Sequence, residues 1–225
     1  MKKTTTKEPQ YEILLDLKNR KGINQLGLMM NEVWDGDPKR LAFVLSRYKF
    51  VSKMLEGSEN VLEVGCGDGW PARIVKQTVN KLTISDFDPV FIEDASRRDD
   101  PDWPIEYLLH DMTKEPTDRK YNAIYSVDVL EHINQKDEDT FLSNICKSLK
   151  PDGTAIIGIP SIESQQYASP ASKAGHVNCK TGADFKGFMS SYFHHVFLFS
   201  MNDEVVHTGF DKMAHYLFCV CCGVK

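Results

Sequence analysis

The chain has 225 residues, of which 41% are hydrophobic and 26% are charged, and its formal net charge at pH 7 is −5. This length allows one well-buried domain and is too short for two sizeable ones. The acidic balance gives no general basic footprint, which counts against DNA or bulk RNA as a substrate.

Targeting and redox features place the chain in a reducing, aqueous setting. Charged residues at positions 7, 8, 12 and 16 interrupt any apolar leader, and no later segment has 18 uncharged apolar residues. The six cysteines contain no C-x-x-C pair, so we expect reduced thiols rather than a disulfide framework or a zinc site. We therefore predict a cytoplasmic protein without a membrane segment.

Two helices are predicted before the first strand. Residues 11–18 carry apolar side chains at helical spacing. Asp37 followed by Pro38 is typical of a helix N-cap with proline in the first turn, and the apolar stripe that follows predicts a helix to about residue 55.

The segment on which the prediction depends most is an apolar run at 61–64 that leads into glycines at alternate positions. It predicts a buried parallel strand followed by a tight turn and a helix N-terminus, where an open α/β sheet binds an adenosine-bearing cofactor. The dinucleotide pattern G-x-G-x-x-G needs a glycine where Trp70 stands, which argues against NAD. A tight turn with no ligand is the alternative.

The spacing E-x-G-x-G-x-G, formed by Glu63, Gly65, Gly67 and Gly69, resembles the first motif of class I S-adenosylmethionine-dependent methyltransferases. This resemblance implies S-adenosyl-L-methionine as cofactor and S-adenosyl-L-homocysteine as product. It also implies cofactor contacts from Glu63, Gly65, Cys66 and Gly67.

Acidic residues follow the next two predicted strands. Asp86 ends the strand at 81–86, about 20 positions past the glycine turn, where a carboxylate can accept hydrogen bonds from both ribose hydroxyls, with Phe87 beside it. The alternative is that Asp86 caps the next helix, although Asp88 could do so instead. After the strand at 105–109, the resemblance assigns Asp111 to the adenine amine and Met112 to the adenine ring; a turn aspartate is the competing interpretation.

The fourth strand, at 121–126, is followed by a segment that resembles the fourth motif of the same family. The resemblance implies that Ser126, Val127 and Asp128 lie along the cofactor. Three similar segments at the ends of three successive strands support the methyltransferase interpretation more strongly than any one of them.

The rest of the chain completes the predicted fold. A helix at 137–149, a strand at 154–159, a polar loop at 160–180, a helix to about residue 192 and strands at 196–200 and 216–221 follow in order. We predict an α/β, Rossmann-like, doubly wound and mostly parallel seven-stranded sheet with an antiparallel C-terminal strand. The single domain would consist of an N-terminal helical lid (1–57), a cofactor-binding core (58–160) and a substrate-facing part (161–225).

The resemblance implies that the lid brings Trp34, Arg47 or Tyr48 near the cofactor. The alternative is that the two aromatic residues are ordinary core and that Arg47 faces solvent.

Sulfonium methyl transfer is an in-line displacement that needs alignment, exclusion of water and, for some acceptors, a proton acceptor. His132, just beyond the fourth strand, is the best-placed proton acceptor, and His176 and His207 could approach from the substrate side. A structural role for His132 is the alternative. Glu131 with His132 and His176 could hold a divalent ion, but one pair plus a distant histidine is a weak metal signal, so no metal site is predicted.

The acceptor is inferred from resemblance alone. Residues 175–210 look similar to small methyltransferases of bacterial surface-polysaccharide tailoring. This implies a small-molecule substrate, which could be nucleotide-linked or phosphorylated, with a sugar hydroxyl or a phosphate or phosphoramidate oxygen as acceptor. A phenol, quinone or amine acceptor, or a non-catalytic cofactor-binding module, remains an alternative. Both a monomer and a homodimer are compatible with the sequence.

Overall fold

The computed structural model describes residues 5–225, whose centre is one eight-stranded sheet. In chain order the strands are β1 (Asn60–Val64), β2 (Lys81–Asp86), β3 (Glu106–Leu109), β4 (Tyr121–Val127), β5 (Leu149–Pro160), β6 (Phe193–Asn202), β7 (Val205–His207) and β8 (Tyr216–Val224). Their order across the sheet is β3-β2-β1-β4-β5-β8-β6-β7. The first five strands are parallel, and β8 enters antiparallel to β5.

Eight α-helices accompany these strands in the described chain. They are α1 (Glu12–Lys21), α2 (Leu28–Gly36), α3 (Arg40–Met54), α4 (Ala72–Lys76), α5 (Pro89–Ser96), α6 (Gln135–Ser148), α7 (Pro170–Gly175) and α8 (Gly182–Ser190). The polar loop predicted at 160–180 is partly helical, since it contains α7 and the 3-10 turn Glu163–Tyr167.

Helices cover both faces of the sheet because side chains alternate along each strand. Leu62 and Ile124 face a core layer that contains Phe141 of α6 and Phe185 of α8. Their neighbours along the strands, including Val61, face the other layer, to which α3, α4 and α5 contribute. This is the doubly wound α/β arrangement that the sequence predicts.

The predicted number of strands is too low by one. Residues 205–207 pair antiparallel with β6, from Ser200 opposite His207 to Asn202 opposite Val205, and form the extra edge strand β7. Three residues are too few for an alternating pattern to stand out from a loop. The predicted long hairpin between the last two strands therefore folds back onto the edge of the sheet.

The N-terminal lid consists of α2 and α3. These helices pack on each other, and the C-terminal half of α3 lies in the core through Tyr48 and Val51, as does Leu55 directly after it. By contrast α1 buries none of its residues, and its predicted apolar face, including Ile13 and Leu14, is exposed. Among residues 5–225, no helix has the length and apolar character needed to cross a membrane.

Candidate functional site

The carboxyl ends of the parallel strands open into a cavity of about 910 Å³, which the lid covers. Because β2 and β3 lie on one side of β1 and β4 lies on the other, the cavity has two ends. We call them the turn end (Gly65, Gly67, Asp86, Phe87 and Asp111) and the histidine end (Arg47, Asp128, Glu131, His132 and His176), and all ten residues line the cavity.

The turn end is built on a backbone conformation that favours glycine. Gly65 and Gly67 have φ angles of 73° and 53°. A Cβ atom on Gly67 would lie 2.3 Å from the sulfur of Met29 in α2, so the lid rests directly on this glycine. The backbone N–H of Gly67 donates to Oδ2 of Asp86 over 2.9 Å, which ties the turn to the end of β2.

Asp86 is buried at the end of β2 with its carboxylate held by backbone amides. Its Oδ1 accepts from the N–H of Asp88 over 3.0 Å, in addition to the bond from Gly67. Burial raises the pKa of Asp86, while these hydrogen bonds favour its ionised form. Asp88 caps α5 by accepting from the N–H of Val90. The helix cap is therefore supplied by Asp88, and Asp86 is left to face the cavity.

The side of the cavity beyond Asp86 is formed by Phe87, Asp111 and Met112. Asp111 accepts hydrogen bonds from Thr113 and an ion-pair contact of 2.9 Å from Lys114. Although burial opposes ionisation, these contacts lower the pKa of Asp111. Met112 is only 3% exposed, so it forms the cavity floor, while Phe87 is 69% exposed and stands at the rim. This side of the cavity thus combines a carboxylate that can accept hydrogen bonds, Asp111, with the apolar side chains of Met112 and Phe87.

Three other residues predicted to contact the cofactor also line the cavity. Cys66 follows β1, Val127 is the last residue of β4, and Asp128 comes directly after it. Cys66 and Val127 are almost fully buried. Burial raises the pKa of the Cys66 thiol, which keeps it neutral at physiological pH. Cys66 therefore offers an apolar surface rather than a nucleophile.

The structure corrects two predicted contacts, because Glu63 and Ser126 lie behind the cavity wall. Ser126 donates its hydroxyl to the carbonyl of Val64 over 3.0 Å. Glu63 accepts from the hydroxyls of Tyr48 and Tyr125 over 2.5 and 2.7 Å, and burial raises its pKa to about 7. Both side chains lie within the strands rather than at their ends, so they brace the sheet and the lid.

At the histidine end, Glu131, His132 and His176 each offer a ligand atom, and these atoms lie within 4.8 Å of one another. The two imidazole rings meet edge to face with centroids 5.1 Å apart. Nδ1 of His132 lies 2.9 Å from the carbonyl oxygen of Gly175, and Nδ1 of His176 lies 2.7 Å from Oε1 of Gln165. Burial, together with the neighbouring His132, lowers the pKa of His176.

The backbone of Glu131 holds His176, which is distant in sequence, next to His132. Its backbone carbonyl accepts from the N–H groups of Val177 and Asn178 over 2.8 and 3.0 Å, which fastens the segment after α7 to the 3-10 turn Leu130–His132. Its carboxylate is 1% exposed, and Oε2 has no hydrogen-bond partner among residues 5–225. Burial, with a contribution from Asp128, raises the pKa of Glu131 well above its usual range.

Arg47 of α3 closes the histidine end from the lid. Its Nη1 lies 2.6 Å from Oδ2 of Asp128, its guanidinium stacks 3.9 Å above the ring of Tyr216, and its Nε has no partner in the described chain. Burial would lower the pKa of Arg47, but Asp128, together with Tyr216 and Glu131, outweighs this effect, so the pKa is raised. In the sequence, Arg47 lies one helical turn from both Val44 and Val51, on the apolar face of α3. This spacing could have indicated that the arginine is buried.

Two other predicted residues lie away from the cavity, His207 and Trp34. Nε2 of His207 lies 2.9 Å from Oδ1 of Asn202, and its Nδ1 accepts from the N–H of Gly209. It stands on β7, at the far edge of the sheet from β4, so its predicted catalytic role is corrected. Trp34 is 57% exposed on α2 and does not line the cavity either.

A doubly wound sheet with a glycine turn after β1 and a buried aspartate after β2 defines a nucleoside-cofactor fold. Residues 61–153 match a family model described as a methyltransferase domain. The N-methyltransferase NodS of Bradyrhizobium japonicum, solved in complex with S-adenosyl-L-homocysteine, has a similar structure. The TM-score is 0.63 at 20% identity, over 96% of this chain and 99% of that chain.

Two curated relatives are methyltransferases by name. The ubiquinone biosynthesis O-methyltransferase of Rickettsia akari is 26% identical over 133 residues, which are 59% of this chain and 52% of that protein. An uncharacterized methyltransferase of Mycobacterium tuberculosis is 33% identical over 102 residues, which are 45% of this chain and 50% of that protein. The chain thus spans about half the length of these curated relatives.

The chain therefore contains a methyltransferase domain and has the class I S-adenosylmethionine-dependent methyltransferase fold, with S-adenosyl-L-methionine as the cofactor of that class. The predicted fold class is confirmed, and the match over residues 61–153 agrees with the predicted family and cofactor.

Proposed function

We propose that this protein is an enzyme that transfers the methyl group of S-adenosyl-L-methionine to an oxygen atom of a small molecule. The observation that carries the proposal is one cavity with two different ends, a glycine turn with Asp86 at one and Glu131, His132 and His176 at the other. A volume of about 910 Å³ is near the upper end for single-ligand sites, so it leaves room for an acceptor beside the nucleoside.

In the proposed reaction, the acceptor oxygen attacks the methyl carbon in line with the sulfur. The O–C bond forms as the C–S bond breaks, the bonding electron pair goes to sulfur, and S-adenosyl-L-homocysteine is released. The turn end holds the nucleoside through Asp86, and the lid excludes water by closing on Gly67. The histidine end holds the acceptor and accommodates its proton.

The charges of the histidine end favour a neutral acceptor. The carboxylates of Asp128 and Asp137 line this part of the cavity, and of the two arginines in the lining, Arg40 and Arg47, Arg47 is already paired with Asp128. These side chains by themselves leave little positive charge to balance an ionised phosphoryl oxygen. Of the acceptors that the sequence suggests for a surface-polysaccharide precursor, we therefore propose a sugar hydroxyl ahead of a phosphate or phosphoramidate oxygen.

Two of the comparisons favour a second candidate, a phenolic, quinone-type or amine acceptor. One relative is named a ubiquinone biosynthesis O-methyltransferase, and a structural neighbour is described as an N-methyltransferase. A phenol fits the same charge argument as a sugar hydroxyl, because both are neutral before they lose a proton. An amine that is protonated at neutral pH would instead gain from the acidic side chains of the histidine end.

The test is a release assay for S-adenosyl-L-homocysteine with purified protein, S-adenosyl-L-methionine and three acceptor panels. The panels are nucleotide-linked sugars, catechols and primary amines, and NMR locates the methyl group in each product. Turnover confined to the sugar panel supports the proposal, and turnover confined to another panel replaces the acceptor class. Binding of S-adenosyl-L-homocysteine without turnover in any panel would instead favour a non-catalytic binding module.

We also propose that the enzyme acts in the cytoplasm on a soluble small molecule. The support is that all six cysteines are free thiols, and four of them lie at least partly within the core layers. Unpaired thiols are usual in a reducing compartment.

A further inference from the structure

We infer that Glu131, His132 and His176 form a binding site for a divalent transition-metal cation at the histidine end. The three side chains come from the turn after β4 and from the segment after α7, and their ligand atoms lie within 4.8 Å of one another. The site lies inside the cavity, which gives a bound cation direct access to the acceptor.

Both histidines are oriented as metal ligands are. In each, Nδ1 lies within hydrogen-bond distance of an oxygen that can only accept, the carbonyl of Gly175 for His132 and the amide oxygen of Gln165 for His176. Nδ1 must therefore carry the proton, and the lone pair is left on Nε2. Protein groups that fix the tautomer and the ring in this way are characteristic partners of ligating histidines.

The buried carboxylate of Glu131 lacks, among residues 5–225, the partner that its burial requires. A buried carboxylate oxygen with no donor is costly, and Oε2 has no hydrogen-bond partner in the described chain. Two neutral imidazole nitrogens cannot provide a counter-charge, and Arg47 already contacts Asp128 at 2.6 Å. A cation coordinated by all three side chains would pair the carboxylate and use both lone pairs.

The donor set also indicates the class of cation. Two imidazoles and one carboxylate suit Zn²⁺, Fe²⁺ or Co²⁺, whereas Mg²⁺ and Ca²⁺ prefer oxygen ligands. Ligand atoms at about 2.1 Å from one cation lie roughly 3 to 4 Å apart. Side-chain movements that shift the ligand atoms by about 1 Å would therefore bring all three within coordination distance of one cation. Three protein ligands leave coordination positions open for an exogenous oxygen. This inference takes up the divalent-ion alternative that the sequence offered only as a weak signal, in place of the prediction of no metal site.

The role of the cation rests on the proposed function. An acceptor hydroxyl that occupies an open position is held in place, and its pKa is lowered by the positive charge. Its proton then passes to water, and the oxygen attacks the methyl carbon as the C–S bond breaks. A cation would thus perform the task for which a histidine base was predicted. An acceptor with two adjacent hydroxyls, such as a sugar diol or a catechol, would bind best because it can chelate.

The experiment is a titration of the metal-free protein with Co²⁺, followed by visible absorption and calorimetry. We expect one equivalent to bind with d–d bands of a low-coordinate nitrogen and oxygen site. His132→Ala, His176→Ala and Glu131→Gln should each weaken binding by about 100-fold or more, and Gln165→Leu by about tenfold, because it only orients His176. His195→Ala, on exposed β6, is the matched control and should bind like the unsubstituted protein.

Binding of S-adenosyl-L-homocysteine, measured on the same samples, separates this inference from the proposed function. If the nucleoside binds but Co²⁺ gives no bands, or if all variants bind Co²⁺ equally, the metal site is wrong and the methyltransferase proposal stands. If Co²⁺ binds as expected but the nucleoside does not, the metal site stands and the proposed function fails. Loss of folding in a variant is detected by circular dichroism, and Gln165→Leu, which leaves all three ligands in place, still tests the site.

Discussion

The two ends of the cavity differ in how their polar atoms are satisfied. At the turn end, both carboxylate oxygens of Asp86 accept backbone N–H groups, and Asp111 accepts from Thr113 and Lys114. At the histidine end, Oε2 of Glu131 and Nε of Arg47 are buried without partners in the described chain. Because unpaired buried polar atoms are costly, they mark where a ligand would be of most benefit.

The comparison teaches that one end is preorganised by the protein and the other is completed by what binds there. The turn end spans a short stretch of chain and repeats the same device, an acidic residue after a strand. The histidine end joins α3, the turn after β4 and the segment after α7. Variants at the two ends should therefore separate cofactor binding from events at the acceptor.

The largest expected effect is a loss of stability with rising pH, and it tests Glu63, the residue that braces the sheet and the lid behind both ends of the cavity. Glu63 on β1 joins Tyr48 of the lid to Tyr125 of β4, and its pKa is about 7 instead of 4.5. Between these pH values the folded protein keeps a proton that the unfolded chain has released, so stability is lost as pH rises through this window. At about 1.4 kcal/mol per pKa unit, the unfolding free energy should fall by roughly 3 kcal/mol between pH 4.5 and 8.

Urea unfolding across this pH range, with Glu63→Gln as the reference, measures the contribution. The variant cannot release a proton at this position, so the difference between the two proteins should change with pH. Parallel profiles for the two proteins would show that Glu63 has an ordinary pKa.

The next largest effect separates the two ends directly. Asp86→Ala should weaken binding of S-adenosyl-L-homocysteine by roughly tenfold to a hundredfold, since each charge-assisted hydrogen bond contributes about 1.5 to 3 kcal/mol. Calorimetry measures the affinity. Asp88→Ala is the matched control, because it removes the α5 cap, costs about 1 kcal/mol of stability and should leave the affinity unchanged. Equal affinities for Asp86→Ala and the unsubstituted protein would mean that the ribose lies elsewhere.

The turn end was predictable because its signals are local. Glycines at alternate positions after a buried strand determine the backbone, and an aspartate at the end of the next strand must meet that turn in a parallel sheet. Glu63 shows the limit of this reasoning. It belongs to the same motif, but the register of β1 points its side chain toward α3, so the motif did not distinguish a ligand contact from a brace.

The histidine end was only half predictable because its contacts are distant in sequence. His132 follows a recognisable strand, but the neighbour that defines its role, His176, is placed by backbone bonds from Glu131 to a segment 46 and 47 positions later, Val177 and Asn178. No periodicity encodes such bonds. For the same reason His207 looked equivalent to His176 in the sequence, although it lies on the edge strand β7, with β5, β8 and β6 between it and β4.

A smaller effect tests whether the lid and the turn act as one unit. Gly67→Ala would place a Cβ 2.3 Å from the sulfur of Met29 at a φ of 53°, so the lid must shift. We expect affinity for S-adenosyl-L-homocysteine to fall by about tenfold, or roughly 1.4 kcal/mol. Gly57→Ala is the matched control, because its φ is 81° but nothing lies within 4 Å of the added atom. It should cost about 1 to 2 kcal/mol of stability and leave the affinity unchanged.

The smallest effect is expected at His207, and it tests the distinction between the two candidate histidines. Both ring nitrogens of His207 are occupied, one by Asn202 and one by the N–H of Gly209, so the ring has no site left for an acceptor proton. His207→Ala should change turnover by no more than about twofold, as is usual for substitutions away from a site. His176→Ala, measured in the same assay, should reduce turnover by an order of magnitude or more while cofactor affinity is retained. A large loss of turnover in His207→Ala with an unchanged melting temperature would contradict this distinction. The acceptor site would then extend from the carboxyl end of β4 to β7.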